Sequence, residues 1–292
     1  GILVEWLGPI AAKHPSGGGW RPAGRKSYKP KTSVMNQPQT TSSYSSRSSG
    51  LQRFREYWTL WRNEQSDPET FYRRMASDTA DALETRHGKV NGLRIIDLGC
   101  GPGWYTAELR ARGADALPVD LDPGELALAG APPEGALVAD AADMPLPDAS
   151  VDAILCSNLL EHCPRAPEVI DEIARVLKPG GWAYVSWTNW YSPWGGHLYA
   201  PYHYLGARFG PWLHDRIHGV PEKNVINDGL WPVHIGTILK RVESNPNLII
   251  DRVEPRYWPK LAFISRIPGV REVFSWNCVI HLRRVVRPGE AS

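Results

Sequence analysis

The chain has 292 residues, 42% of them hydrophobic, and a formal charge of +2 at pH 7, which suits one sizeable α/β domain with extensions rather than two full domains. No apolar run reaches the ~18 residues needed to span a bilayer, and Gly1 to Ala12 has neither the basic start nor the cleavage site of a signal peptide, so a cytoplasmic protein is expected. Cys100, Cys156, Cys163 and Cys278 form no CxxC pair, which argues against a zinc ribbon or redox motif and for reduced thiols.

The first fifty residues hold seven Lys/Arg against one acid, a Gly17-Gly18-Gly19 run, scattered prolines and a Ser/Thr-rich stretch from Thr40 to Ser49. They read as a disordered basic tail. The rest carries 26 basic and 30 acidic residues, so the positive total comes from the tail. Such a tail can attract nucleic acid or anionic lipid, although a solvated extension is the simpler reading. The first methionine is Met35, which makes the preceding 34 residues a candidate upstream segment.

The ordered part, 51–292, is expected to open with a helix on which Leu51, Phe54, Tyr57, Trp58 and Trp61 recur at helical spacing. A second helix should run from Asp67-Pro68 to about Arg86, with Asp67 as N-cap and Pro68 in its first turn. Ile95-Ile96-Asp97-Leu98 then reads as a strand breaking into a loop with Gly99, Gly101 and Gly103 at alternate positions. Glycine lets such a loop turn sharply at positive φ and bring backbone N–H groups close to a ligand, while the helix starting near Trp104 points its amide end at the same place. The dinucleotide fingerprint GxGxxG fails in both registers, because Trp104 or Thr106 stands where the third glycine belongs, and no Gly-Lys-Ser/Thr closes a phosphate loop.

A second apolar run ends at Asp120-Leu121, where a βαβ unit presents a carboxylate to a ribose diol, and a third, Gly135 to Ala139, ends at Asp140-Ala141. Either acid alone could equally be a cap or turn residue. The fourth strand, Val151 to Cys156, leads into Ser157-Asn158-Leu159-Leu160-Glu161-His162. Leu177-Lys178-Pro179-Gly180-Gly181 should end a helix and turn into a fifth strand, Trp182 to Trp187.

From Trp182 to Tyr204, nine of 23 residues are Trp or Tyr, and the stretch Asn189 to His197 holds too many turn residues for a regular helix. An inserted substrate lid, 188–232, is expected, with Trp190, Tyr191, Trp194, Tyr199 and Tyr202 offering apolar area with polar tips to an acceptor. A helix near Val233 to Glu243 and strands near Leu248 to Val253 and Val273 to Leu282 would complete a seven-stranded sheet with an antiparallel last strand. Tyr257 to Ile264, with Arg266, is either an interfacial patch or a cover for the sheet edge.

The run acid-x-Gly-x-Gly-x-Gly at 97–103 resembles motif I of the class I S-adenosylmethionine-dependent methyltransferases of the small-molecule type, and the hydrophobic-x-Pro-Gly-Gly before strand five is similar to theirs. The resemblance covers 93–187 closely. It implies a Rossmann-like, doubly wound α/β fold with helices on both faces. It also implies S-adenosylmethionine as cofactor, with Asp97, Gly99, Gly101, Gly103, Asp120, Leu121, Asp140, Ala141 and Asn158 around it; Asp120 would serve the ribose and Asp140-Ala141 the adenine. The element Trp-x-x-Pro-x-Gly-Gly-His at 190–197 resembles that of uncharacterised actinobacterial methyltransferases, whose known relatives act on small metabolites or cell-envelope precursors.

An oxygen nucleophile must lose a proton on methylation, and His197, His162 and His203, in that order, are the candidate bases. Glu161-His162 also resembles the acid–histidine pair of ubiquinone-type O-methyltransferases, which hold a divalent metal with a further acid three residues before the Glu. Asn158 stands there, so no metal is expected. The strand-four turn lacks the Asp/Asn-Pro-Pro-Tyr/Phe of base-amino methyltransferases and the Pro-Cys of cytosine C5 enzymes. The expected partner is therefore a small or lipid-like acceptor rather than nucleic acid, with peripheral membrane contact as an option and the oligomeric state open. The resulting expectation is O-methylation of a small or amphipathic metabolite or cell-envelope precursor. The alternatives are a non-catalytic cofactor-binding scaffold and, behind it, a nucleic-acid methyltransferase.

Overall fold

The structure, a computed structural model, describes Thr59 and residues 67–288. The basic tail and the aromatic stripe from Leu51 to Trp61 lie outside the described residues.

Helix α1 spans Pro68–His87, with the Asp67 carboxylate accepting from the Thr70 N–H at 3.2 Å and Gly88 ending it at φ +88°. Phe71, Met75, Ala76, Thr79, Ala80 and Leu83 form its buried face at helical spacing. The sheet follows as β1 (Arg94–Leu98), α2 (Trp104–Ala111), β2 (Asp115–Asp120), the short α3 (Pro123–Leu126), β3 (Leu137–Val138), β4 (Val151–Ser157), α4 (Ala166–Val176) and β5 (Leu177–Thr188). Beyond it come α5 (Phe209–His218), a small pair β6 (Val225–Ile226) and β7 (Gly229–Leu230), α6 (Ile235–Ser244), β8 (Leu248–Pro255), α7 (Val270–Phe274) and β9 (Asn277–Arg284).

The seven strands lie in the order β3-β2-β1-β4-β5-β9-β8, parallel except for β9, which runs antiparallel to both neighbours. This is the doubly wound arrangement expected. Alternation along the strands divides the core: Ile96, Ile154 and Val185 face α4 and α6, whereas Ile95, Leu155 and Tyr184 face the side closed by α1 and α2. Chain order reverses between β1 and β4, so the Gly99–Gly103 loop opens at the switch point, where doubly wound sheets bind ligands.

Two segments depart from expectation. Leu177 to Gly181 belongs to β5 instead of forming a free turn: Val151 pairs with Leu177 and Ala153 with Trp182, so the intervening residues bulge, with Gly180 at φ +81°. The last strand starts at Asn277, not Val273, because Val270–Phe274 is the helix α7. Glu272 ties that turn to α6, its carboxylate accepting from Ile235 N–H at 2.9 Å and Gly236 N–H at 2.8 Å, and this tertiary bond overrides the apolar strand-like pattern.

Residues 189–232 leave the end of β5 and build a small core of their own from Trp190, Tyr199 and Leu230, with Tyr191, Ala207 and Ile226 packed against it. Among the described residues, no helix is long and apolar enough to cross a membrane, and all four cysteines are free thiols.

Candidate active site

The loop after β1 has Gly99, Gly101 and Gly103 at φ +74°, +48° and +82°. A Cβ on Gly103 would lie 2.4 Å from Pro133 Cγ and one on Gly99 2.7 Å from Leu159 Cδ1, whereas one on Gly101 would meet nothing. The outer glycines thus let the chain pass close to its neighbours, and the middle one leaves an open cradle.

Acids hold this loop in shape. The Asp120 carboxylate accepts from Gly101 N–H at 2.9 Å and Asp122 N–H at 3.0 Å, which places it directly beside the cradle. Leu121 next to it is 58% exposed and supplies an apolar rim. Asp97 differs from expectation. It is 1% exposed and accepts from the Thr106 hydroxyl at 2.6 Å, so it braces the loop and α2 from below and has almost no surface to offer a ligand. Burial, opposed by the Thr106 hydrogen bonds and aided by the nearby Asp120, pushes its carboxyl up to about 7. Asp140 accepts from Ala142 N–H at 2.8 Å and pairs with the Arg165 guanidinium at 2.7 Å, so it is an Asx turn and a surface ion pair beside the buried Ala141.

The turn after β4 forms the other wall. Asn158 stands at φ +55°, and its Oδ1 accepts from Asn277 Nδ2 at 2.7 Å and Arg256 Nη1 at 3.3 Å, so its side chain is engaged within the protein. His162 closes a 3₁₀ turn, Leu160–His162, with α4 starting at Ala166. Its Nδ1 lies 2.7 Å from the Gly229 carbonyl. A carbonyl only accepts, so Nδ1 carries the proton and Nε2 has the free lone pair. Glu161, 2% exposed, accepts from Thr188 N–H at 2.8 Å through Oε1, while its buried Oε2 has no partner among the described residues.

The lid folds onto this turn, with Trp231 N–H donating to the Glu161 carbonyl at 2.8 Å. His197, at φ +48°, stands edge-on to His162 with 5.4 Å between ring centroids. Its Nδ1 faces the Gly195 carbonyl at 3.4 Å, which again leaves Nε2 as the acceptor. Burial lowers the His197 pKa below the ordinary histidine value, and His162 lowers it further against the opposing pull of Glu161.

The third candidate base does not join them. His203 is fully buried, its Nε2 donates to the Ser192 carbonyl at 2.9 Å, and its ring packs so closely on Gly196 that a Cβ there would lie 2.4 Å away. It holds the lid together. Trp190 and Tyr199 are likewise the lid's own core, 1% and 0% exposed, and Tyr202 is spent on α5 through its hydroxyl, 2.9 Å from His218 Nε2. The expected acceptor-facing set therefore reduces to the partly exposed Tyr191, stacked on His234, and Trp194, edge-on to Trp276.

Sequence reasoning missed Arg256, the residue following β8. Its Nη1 donates to Ser157 Oγ (3.1 Å), Ser186 Oγ (3.3 Å) and Asn158 Oδ1, and its Nη2 to Tyr105 OH (2.7 Å) and Thr79 Oγ1 (3.1 Å). All five acceptors are neutral. A guanidinium at the rim of the cradle therefore faces no carboxylate among the described residues. Only assembled β4, β5, α1 and α2 bring those oxygens together, and no local spacing signals it. Among the described residues, no group of three or more His, Cys, Asp or Glu is arranged to hold a metal.

Comparison with known proteins identifies relatives of the chain. The family described as "Methyltransferase domain" matches residues 96–185. A solved S-adenosylmethionine-dependent methyltransferase from Mesorhizobium loti is 23% identical, with a TM-score of 0.48 over 70% of this chain and 96% of that one. An uncharacterized methyltransferase of Mycolicibacterium vanbaalenii is 36% identical over 235 residues, 77% of this chain and 91% of the relative. One from Mycobacteroides abscessus is 37% identical over 250 residues, 80% and 94% of the two chains. With the glycine cradle after β1, the acid beside it at the end of β2 and relatives of this identity covered almost end to end, the chain belongs to the class I S-adenosylmethionine-dependent methyltransferases.

Proposed function

We propose that the chain methylates an oxygen of a small or amphipathic metabolite or cell-envelope precursor in the cytoplasm, with His197 as general base. The observation that carries this reading is the edge-on His197–His162 pair, which leaves a neutral imidazole with a free Nε2 where the lid meets the β4 turn. Gly101 and its neighbours, Asp120 and Leu121 would hold the cofactor, whose sulfonium supplies an already activated methyl group when bound.

What the protein must add is alignment, dryness and a proton acceptor. Tyr191 and Trp194 offer the acceptor apolar contact, and Arg256 offers charge to a polar or anionic end of it. The proton that an acceptor hydroxyl loses on methylation would pass to His197 Nε2. A histidine with a lowered pKa is unprotonated and ready at neutral pH. The lid closing over the β4 turn excludes water.

The test is transfer of radiolabelled methyl from S-adenosylmethionine to lipid and polar extracts. A labelled product that releases methanol on alkaline hydrolysis or carries a methoxy group is expected. Tight cofactor binding with no labelled product from any extract would instead establish a binding scaffold.

A further inference from the structure

We propose that residues 257–274 form a docking face for an anionic lipid bilayer, on the edge of the sheet where the site opens. β8 ends at Pro255 on the same edge as β4 and β5, because these strands run in one direction, and the chain then crosses that edge before returning as β9. On the way it leaves Leu261, Phe263, Ile267, Val270, Val273 and Phe274 between 37% and 59% exposed. Scattered exposed apolar residues need no explanation, but six within fourteen positions make a patch.

The charges in the segment select its occupant. Lys260 and Arg266 are exposed, and the one acid, Glu272, is turned inward on the amides that open α6. An apolar surface with exposed charge of one sign complements an anionic lipid headgroup layer. A second copy packed face to face would oppose Lys260 and Arg266 to themselves. The lid repeats the composition independently: Phe209 and Trp212, 53% and 55% exposed, stack with centroids 5.5 Å apart on α5, beside exposed Arg208 and Arg216. Trp258, Trp276 and Trp194, edge-on in sequence at 5.0 and 4.7 Å, join the docking segment to the lid.

The docking face stands independently of methyl transfer, so its failure would leave the proposed reaction untouched. The experiment is co-sedimentation of the full chain with phosphatidylcholine vesicles and with vesicles of phosphatidylcholine and phosphatidylglycerol in equal parts. Salt-sensitive binding to the anionic vesicles only is expected, falling about tenfold in Phe263→Ser/Phe274→Ser and again in Lys260→Glu/Arg266→Glu. Unchanged affinity for S-adenosylhomocysteine would verify that both variants fold. Absent binding, equal binding to both vesicles, or binding that both variants retain, as a basic tail alone would give, overturns the proposal. A dimer that Phe263→Ser/Phe274→Ser dissolves overturns it too.

Discussion

The His197 imidazole is edge-on to that of His162, and a buried carboxylate oxygen of Glu161 at the same junction has no partner among the described residues. Two histidines so close cannot both be protonated without repulsion in a site that already penalises charge. His197 therefore titrates below the ordinary histidine range, and it does so because of its burial first and His162 second.

The acid limb of the pH profile should report this. kcat/KM should fall only as pH drops below the ordinary histidine value of about 6.5. His162→Gln keeps a hydrogen-bond donor for the Gly229 carbonyl while removing the imidazole that lowers the His197 pKa, so the limb should move toward higher pH without vanishing. His197→Asn should reduce transfer by about 10²–10⁴-fold with S-adenosylhomocysteine binding unchanged. An acid limb that ignores His162 would separate the two rings electrostatically.

Asp97 makes stability depend on pH in an uncommon direction. With its carboxyl raised to about 7, the folded chain keeps a proton that the unfolded chain has lost above the usual carboxylate range. Stability should therefore fall as pH rises from about 4 to about 7 and be flat above, by at most about 4 kcal/mol. Asp97→Asn retains an acceptor for the Thr106 hydroxyl and cannot ionise, so it should flatten that slope. Thermal unfolding at pH 5 and pH 8 measures both.

The glycines of the loop should separate folding from binding. Gly101→Ala meets no neighbour but sits at φ +48° and places a methyl group in the cradle. It should cost about 1–2 kcal/mol of stability and most of the cofactor affinity. Gly103→Ala adds the clash with Pro133 to the same backbone strain and should cost about 2–4 kcal/mol. Calorimetric titration with S-adenosylhomocysteine beside thermal unfolding distinguishes the two effects.

How much of this was legible in the sequence depends on the range of the interactions involved. The α1 cap, the loop and the acid that ends β2 are local events in which residue type and spacing are the physics, so Asp67, Gly103 and Asp120 could be placed by inspection. The fate of the lid aromatics could not. Trp190 and Tyr199 are chemically as fit to meet a ligand as Tyr191 and Trp194, and only the lid's own packing decides which pair is consumed as core. His203 was misjudged for the same reason, since its bond to Ser192 and its contact with Gly196 arise inside a segment without periodicity. Arg256 was invisible because its partners lie as far as 177 positions away in sequence.

Arg256 offers the sharpest test of what the site receives. Its fork reaches Tyr105 and Thr79 on one side and Ser157, Ser186 and Asn158 on the other. A lysine ammonium is a point charge that cannot span both, so Arg256→Lys should behave nearly as poorly as Arg256→Met. Neutral acceptors satisfy the donors without neutralising the charge, and an anionic or strongly polar group of the acceptor would complete it. Removing that group's partner should then raise the KM for acceptor by about tenfold or more, the usual worth of a charge-assisted bond, with a smaller change in kcat. The dissociation constant of S-adenosylhomocysteine, which carries the donor's carboxylate, is the control. If it rises as much as KM, the guanidinium serves the cofactor and the acceptor is free to be neutral; if it holds while KM rises, the acceptor carries the polar or anionic end that Arg256 meets.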